Sequence, residues 1–164
     1  MNLQFYLEKL FNSEEFKSFM KENKEAYFCS GFFVIDKDGN DNKQHIDYFV
    51  PSSGKTFSFQ MEEEIKLIPL EQADVKIPEK IPESLDINLD YVEKLILGEM
   101  FERKIENKLQ KIIYSIQRVE GKDFLVGTIF ISMMGMINFK IDLAEMKIID
   151  FEKKSFMDFL KRVK

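Results

Sequence analysis

The chain has 164 residues, 45% apolar and 32% charged, with 17 phenylalanines, no tryptophan and a formal net charge of −5. That apolar content excludes a largely disordered chain, and the acidic balance argues against phosphate-backbone binding, which needs a concentrated basic surface. A single cysteine, Cys29, rules out an intramolecular disulfide, and with a single histidine, His45, a metal site built from several Cys or His residues is excluded.

At the start of the chain, Leu3, Leu7, Leu10 and Phe11 recur at helical spacing. Asn12 with Glu15 has the spacing of a capping box, and Phe16, Phe19 and Met20 form a second stripe out of phase with the first. The pattern predicts two short helices or one bent helix. Tyr27–Ile35 and Ile46–Val50 read as strands separated by Asp38-Gly39, an acid–glycine hairpin signal. The loop Asp36-Lys37-Asp38-Gly39-Asn40-Asp41 resembles a calcium loop only in part. An EF-hand needs glycine at its sixth position and a bidentate acid at its twelfth; here glycine is fourth and Asp47 twelfth, so a hairpin is the reading. Pro51-Ser52-Ser53-Gly54 is a turn, and Phe57-Ser58-Phe59-Gln60-Met61 alternates as a half-buried strand. Glu62-Glu63-Glu64 reads as a solvated turn.

Pro78 and Pro82 mark an extended connector, assigned to residues 77–89, between a first half (1–76) and a second (90–164). In the second half Asp90, with Glu93 three residues on, is expected to cap a helix running to about Arg103, with Val92, Leu95, Ile96 and Met100 facing the core. Strands are expected over Leu109–Val119, Phe124–Ile131 and Ile137–Leu143, with turns at Glu120-Gly121 and around Gly135. A last helix is expected from Ser155, carrying Phe156, Phe159, Leu160 and Val163 at i, i+3, i+4 and i+7. The order of elements thus repeats at a spacing of about 80 residues. The expected fold is α+β: two similar halves, each a helix packed on an antiparallel sheet, plus a C-terminal helix. Phe57, Phe59, Met61, Ile137, Phe139 and Ile141 should lie in the core.

No phosphate-cradling glycine loop or nucleophile elbow is present in the sequence. His45 is expected on a solvent-facing strand position and Cys29 as a small core side chain. No catalytic residue, metal ligand or cofactor is therefore expected. Met133, Met134 and Met136 around Gly135 either fill a turn or form a partner-binding surface, a use to which flexible methionines are suited. No apolar run reaches the length of a membrane span, and no basic-then-apolar leader opens the chain, so a soluble cytoplasmic protein without nucleic-acid or membrane partners is expected.

The helix from Asp90 and the ending Phe139-Lys140-Ile141-Asp142-Leu143-Ala144-Glu145-Met146-Lys147-Ile148-Ile149 resemble a PepSY-like domain over residues 90–152. There an alternating strand ends in Asp, turns, and returns as a β-branched strand. The family commonly has glycine just before the return strand, where this chain has Met146. The resemblance implies a cystatin-like helix-on-sheet fold, often in tandem, with binding or inhibitory roles and no catalytic residues. A second resemblance, to small acidic secretion chaperones that dimerise, rests on the acidic pI and the Phe/Met content. The leading expectation is a non-catalytic module that binds a protein or peptide at a sheet edge or between the halves. The alternatives are a small-ligand or enzymatic pocket between helix and sheet, with polar groups such as His45, Asp47 or Tyr114, and a chaperone-like homodimer.

Overall fold

The computed structural model describes residues 2–71 and 76–155. The elements run α1 (Leu3–Phe11), α2 (Glu14–Glu22), β1 (Tyr27–Asp36), β2 (Lys43–Val50), β3 (Lys55–Gln60), β4 (Lys66–Leu70), α3 (Leu89–Glu102), β5 (Leu109–Val119), β6 (Lys122–Ile131), β7 (Gly135–Asp142) and β8 (Lys147–Ser155). The fold is α+β. All eight strands join one antiparallel sheet in the order β4-β3-β2-β1-β5-β6-β7-β8. Each run of four strands is a meander, and the two meet where β1 pairs with β5.

The two N-terminal stripes become two separate helices, and their caps differ from the expected pair. Asn12 closes α1 as its C-cap, and Ser13 is the N-cap of α2, accepting from the Phe16 N–H. A small hydroxyl one residue later does what the Asn12–Glu15 box was expected to do. Likewise α3 is capped by Asn88, whose side chain accepts from the Tyr91 N–H, so Asp90 stands in the first turn instead of at the cap. Of its expected core positions, Val92, Ile96 and Met100 are buried and Leu95 is half-buried. The expected C-terminal helix lies outside the described residues, except that Ser155 ends β8.

Residues paired across strands share a face of the sheet. One face carries Phe33 beside Tyr114, Tyr114 beside Gly127 and Gly127 beside Phe139. The helices contribute their apolar side chains to this same core. Phe16 and Phe19 of α2 meet Tyr48 and Phe59 edge-on, with ring centroids 5.2–6.4 Å apart. One hydrophobic cluster runs from Leu3 to Phe151 through both meanders. Phe59, Met61, Ile137, Phe139 and Ile141 are buried in it as expected, while Phe57 is half-buried.

Two glycines make this face possible. A Cβ at Gly127 would lie 2.1 Å from the Ile113 carbonyl oxygen and 2.7 Å from the Tyr114 Cβ. At Gly31 it would press on Phe33 and Ile116 at 3.0 and 3.1 Å. At Gly127 the neighbouring strand's backbone takes the space a side chain would need, and at Gly31 the ends of two large side chains crowd it.

The proline connector is tied down at several points. The Tyr27 hydroxyl donates to the Pro78 carbonyl (2.6 Å), and the Ile81 N–H donates to the Phe28 carbonyl (2.8 Å). The Glu83 carboxylate accepts from the Tyr48 hydroxyl (2.9 Å). Glu79 accepts from the Glu120 and Gly121 N–H groups at 2.7 and 3.1 Å, holding the tip of the β5–β6 hairpin. That hairpin is the acid–glycine turn expected from sequence: a two-residue loop with φ of 51° and 78°. The Asp38-Gly39 turn works differently. Gly39 keeps an ordinary φ, and Asp36 organises the loop by accepting the Asp38, Gly39 and Asp41 N–H groups. A Cβ at Gly39 would sit 2.8 Å from an Asp36 carboxylate oxygen, so a larger residue there would require that carboxylate to shift.

Candidate functional site

Among the described residues, the β6–β7 turn is where two consecutive non-glycine residues take positive φ. Ile131 pairs with Gly135, so Ser132, Met133 and Met134 form a three-residue loop. Met133 and Met134 both adopt left-handed backbone, with φ of 64° and 60°. That region disfavours any side chain with a Cβ, and here two consecutive large residues occupy it. Their side chains gain no shelter in exchange: Met133 is 89% exposed and Met134 65%, and Met136 on β7 is also exposed. The turn is held from below. The Ser132 N–H donates to the Lys108 carbonyl, the Lys108 N–H donates to the Ser132 hydroxyl, and the Asn107 side-chain amide donates to the Ser132 carbonyl. Gly135 lets the hairpin close, because a Cβ there would stand 2.6 Å from the Ile131 side chain. The three methionines named from sequence are thus together on one exposed hairpin.

The sheet has two edges of different character. Every residue of β4 is exposed, including Leu67, Ile68 and Leu70, and Pro69 brings no N–H to the ladder. The other edge, β8, carries Lys147, Asp150, Glu152, Lys153 and Lys154, charges that discourage further pairing.

The chemistry named for a pocket does not come together. A cleft of about 170 Å³ opens between α1, the start of α3 and the ends of β1 and β2, lined by Tyr6, Phe33, Ile35, Lys37, Gln44 and Glu93 among others. It is smaller than the roughly 300–1,000 Å³ usual for ligand pockets, and Lys37 and Glu93 form an ion pair in its wall. Tyr114 lies buried nearby. Burial first, then the fields of Tyr6, Glu93 and Asp90, push its hydroxyl pKa up, and the oxygen has no hydrogen-bond partner. His45 and Asp47 point away from this cleft, on the other side of the sheet from Phe33 and Tyr114. His45 Nε2 meets Glu62 at 2.6 Å.

Asp47, in sequence one polar group among several, is the most perturbed carboxylic acid of the described residues. It stands between Ser30 and Ser58 on neighbouring strands and is 8% exposed. Burial raises its carboxyl pKa to about 6, against the opposing hydrogen bond from Ser58, and Oδ1 has no partner. Cys29 is buried alongside, its Sγ 3.5 Å from the Asp47 carbonyl. Burial, reinforced by Asp47, pushes the thiol up to about 12, so it holds its proton at neutral pH. The alternation His45–Asp47–Phe49 suggested a solvent face, yet Asp47 and Phe49 are buried. Such burial depends on neighbouring strands and the connector, which local periodicity does not encode.

Among the described residues, no group of three or more His, Cys, Asp or Glu could hold a metal ion, and no helix is long and apolar enough to cross a membrane.

The architecture defines an α+β protein built on one eight-stranded antiparallel sheet. Among solved structures it is similar to a candidate lipoprotein of Clostridium difficile 630, with 14% sequence identity over 86% of this chain and 91% of that one and a TM-score of 0.51. At that identity the likeness is one of fold. No family model and no curated protein matches the chain.

Proposed function

We propose that the protein is a non-catalytic module that binds a protein or peptide, and that the β6–β7 hairpin is its contact. The observation carrying this reading is the pair Met133–Met134: strained backbone combined with exposed apolar side chains. Asparagine or glycine would relieve the strain and suit the solvent. Methionine offers neither advantage, but it does offer a polarizable, adaptable surface to a partner. The exposed edge β4 supports the same reading more weakly, because Pro69 limits the addition of a strand there.

The reading extends to architecture. The two meanders, each preceded by helix, are two uses of one unit, and the second is the PepSY-like one. Met146, at the position where that family commonly has glycine, has a φ of 50°, the backbone a glycine would take readily. The proposal includes a cytoplasmic location, which cell fractionation tests; recovery in a membrane or secreted fraction overturns that part.

The deciding experiment compares wild type with the double variant Met133→Asn/Met134→Gly as baits in affinity capture from native lysate, with mass-spectrometric identification. A protein recovered by wild type and lost by the folded variant supports the proposal. Equal recovery by both baits, or recovery of the bait alone, overturns it.

A further inference from the structure

The outer face of α3 carries a stripe of a different kind. Lys94, Leu97, Gly98 and Phe101 follow the i, i+3, i+4, i+7 spacing of a single helix face, opposite the buried Val92, Ile96 and Met100. All four are exposed, Phe101 to 83%. Gly98 sits in the interior of a 14-residue helix, where glycine is among the least favourable residues. The described residues give no reason for it: among them, a Cβ built at Gly98 meets nothing within 4 Å. A residue that lets backbones approach closely, flanked by exposed Leu and Phe, suits a second helix arriving from outside.

The charges identify that helix. Lys94 and Glu102 lie four residues to either side of Gly98, and both are exposed. In an antiparallel pair of identical helices crossing at Gly98, Lys94 of each copy lies opposite Glu102 of the other, giving two equivalent ion pairs. A two-fold contact requires such self-complementarity. We propose that α3 packs antiparallel against α3 of a second copy of this chain, with the two-fold axis at Gly98 and Leu97 and Phe101 flanking it. A contact built mainly on one helix face falls at the small end of interface sizes, so the association is concentration-dependent. It is independent of the Met133 turn.

Charge reversal with sedimentation equilibrium tests it. Lys94→Glu and Glu102→Lys each place like charges across the crossing and are expected to weaken self-association about tenfold or more. The double variant Lys94→Glu/Glu102→Lys restores the opposite pairing and is expected to recover wild-type association. Both positions are exposed, and circular dichroism verifies that each variant is folded. Gly98→Ala supplies a second measurement: a higher thermal midpoint for the monomer together with weaker association. A chain that sediments as a monomer throughout the micromolar range overturns the proposal. So does association that ignores the single reversals, or that the double reversal fails to rescue.

Discussion

Asp47 is held neutral further up the pH scale than an exposed aspartate, because its carboxylate would have to be charged inside the sheet with Oδ1 unpartnered. The sign of the consequence follows from linkage. The folded pKa of about 6 lies above the ordinary aspartate value of 3.8, so the folded state binds the proton more tightly. Its contribution to stability is complete below about pH 4 and is lost as pH rises through 6. Asp47→Asn should therefore raise stability at pH 7, by roughly 2–3 kcal/mol at about 1.4 kcal/mol per pKa unit, and flatten the wild-type decline between pH 4 and 7. Urea titrations across that range measure both effects. Cys29 gives a companion prediction. With its thiol pushed up to about 12 and buried, it should resist a neutral-pH thiol reagent in the native protein and react on denaturation. An accessible, fast-reacting thiol would contradict the structure. Composition and the apolar run around Cys29 disclosed its inert character. Asp47 was harder to read, because a strand's alternation says which residues share a face but not whether that face is covered.

At the level of elements, the strong periodic patterns reached their structures. The helices at Leu3–Phe11 and Glu14–Glu22, and the strand Leu109–Val119, fall where their spacing placed them. β4 was missed: Leu67-Ile68-Pro69-Leu70 has no alternation, and a proline within it argues against a strand. Cap identities slipped by one or two residues because several capping-competent side chains stand side by side at each helix start. The methionine hairpin was visible as composition, but its left-handed backbone was not, since nothing in Met-Met signals positive φ. Met133→Asn/Met134→Gly should accordingly raise the thermal midpoint by a few degrees, corresponding to about 1–2 kcal/mol of relieved strain. A calorimetric scan checks this separately from any loss of binding. Gly127→Ala should act in the opposite direction. The added methyl meets backbone atoms that cannot rotate away, and a loss of roughly 2–4 kcal/mol is expected in denaturant unfolding. The sequence marks Gly127 only as an interruption of an apolar run; its role depends on Tyr114 in the neighbouring strand.

Across the whole molecule, the single hydrophobic cluster and the β1–β5 pairing should make the two meanders unfold together. Far-ultraviolet circular dichroism and tyrosine fluorescence should give coincident denaturation curves; two separated transitions would show that the connector joins independent domains. The α+β class was legible because most strands pair with near neighbours in the chain, where local spacing marks them. The strand pairing between the meanders was not, since Gly31 meets Ile116 across 84 intervening positions. That distance matters while the protein is being made. At about 5–20 residues per second, β1 leaves the ribosome some seconds before β5 exists to cover it. For that interval the nascent chain shows a bare flank of Gly31, Phe32 and Phe33, and a chaperone that shields unfinished polypeptides would find its substrate there.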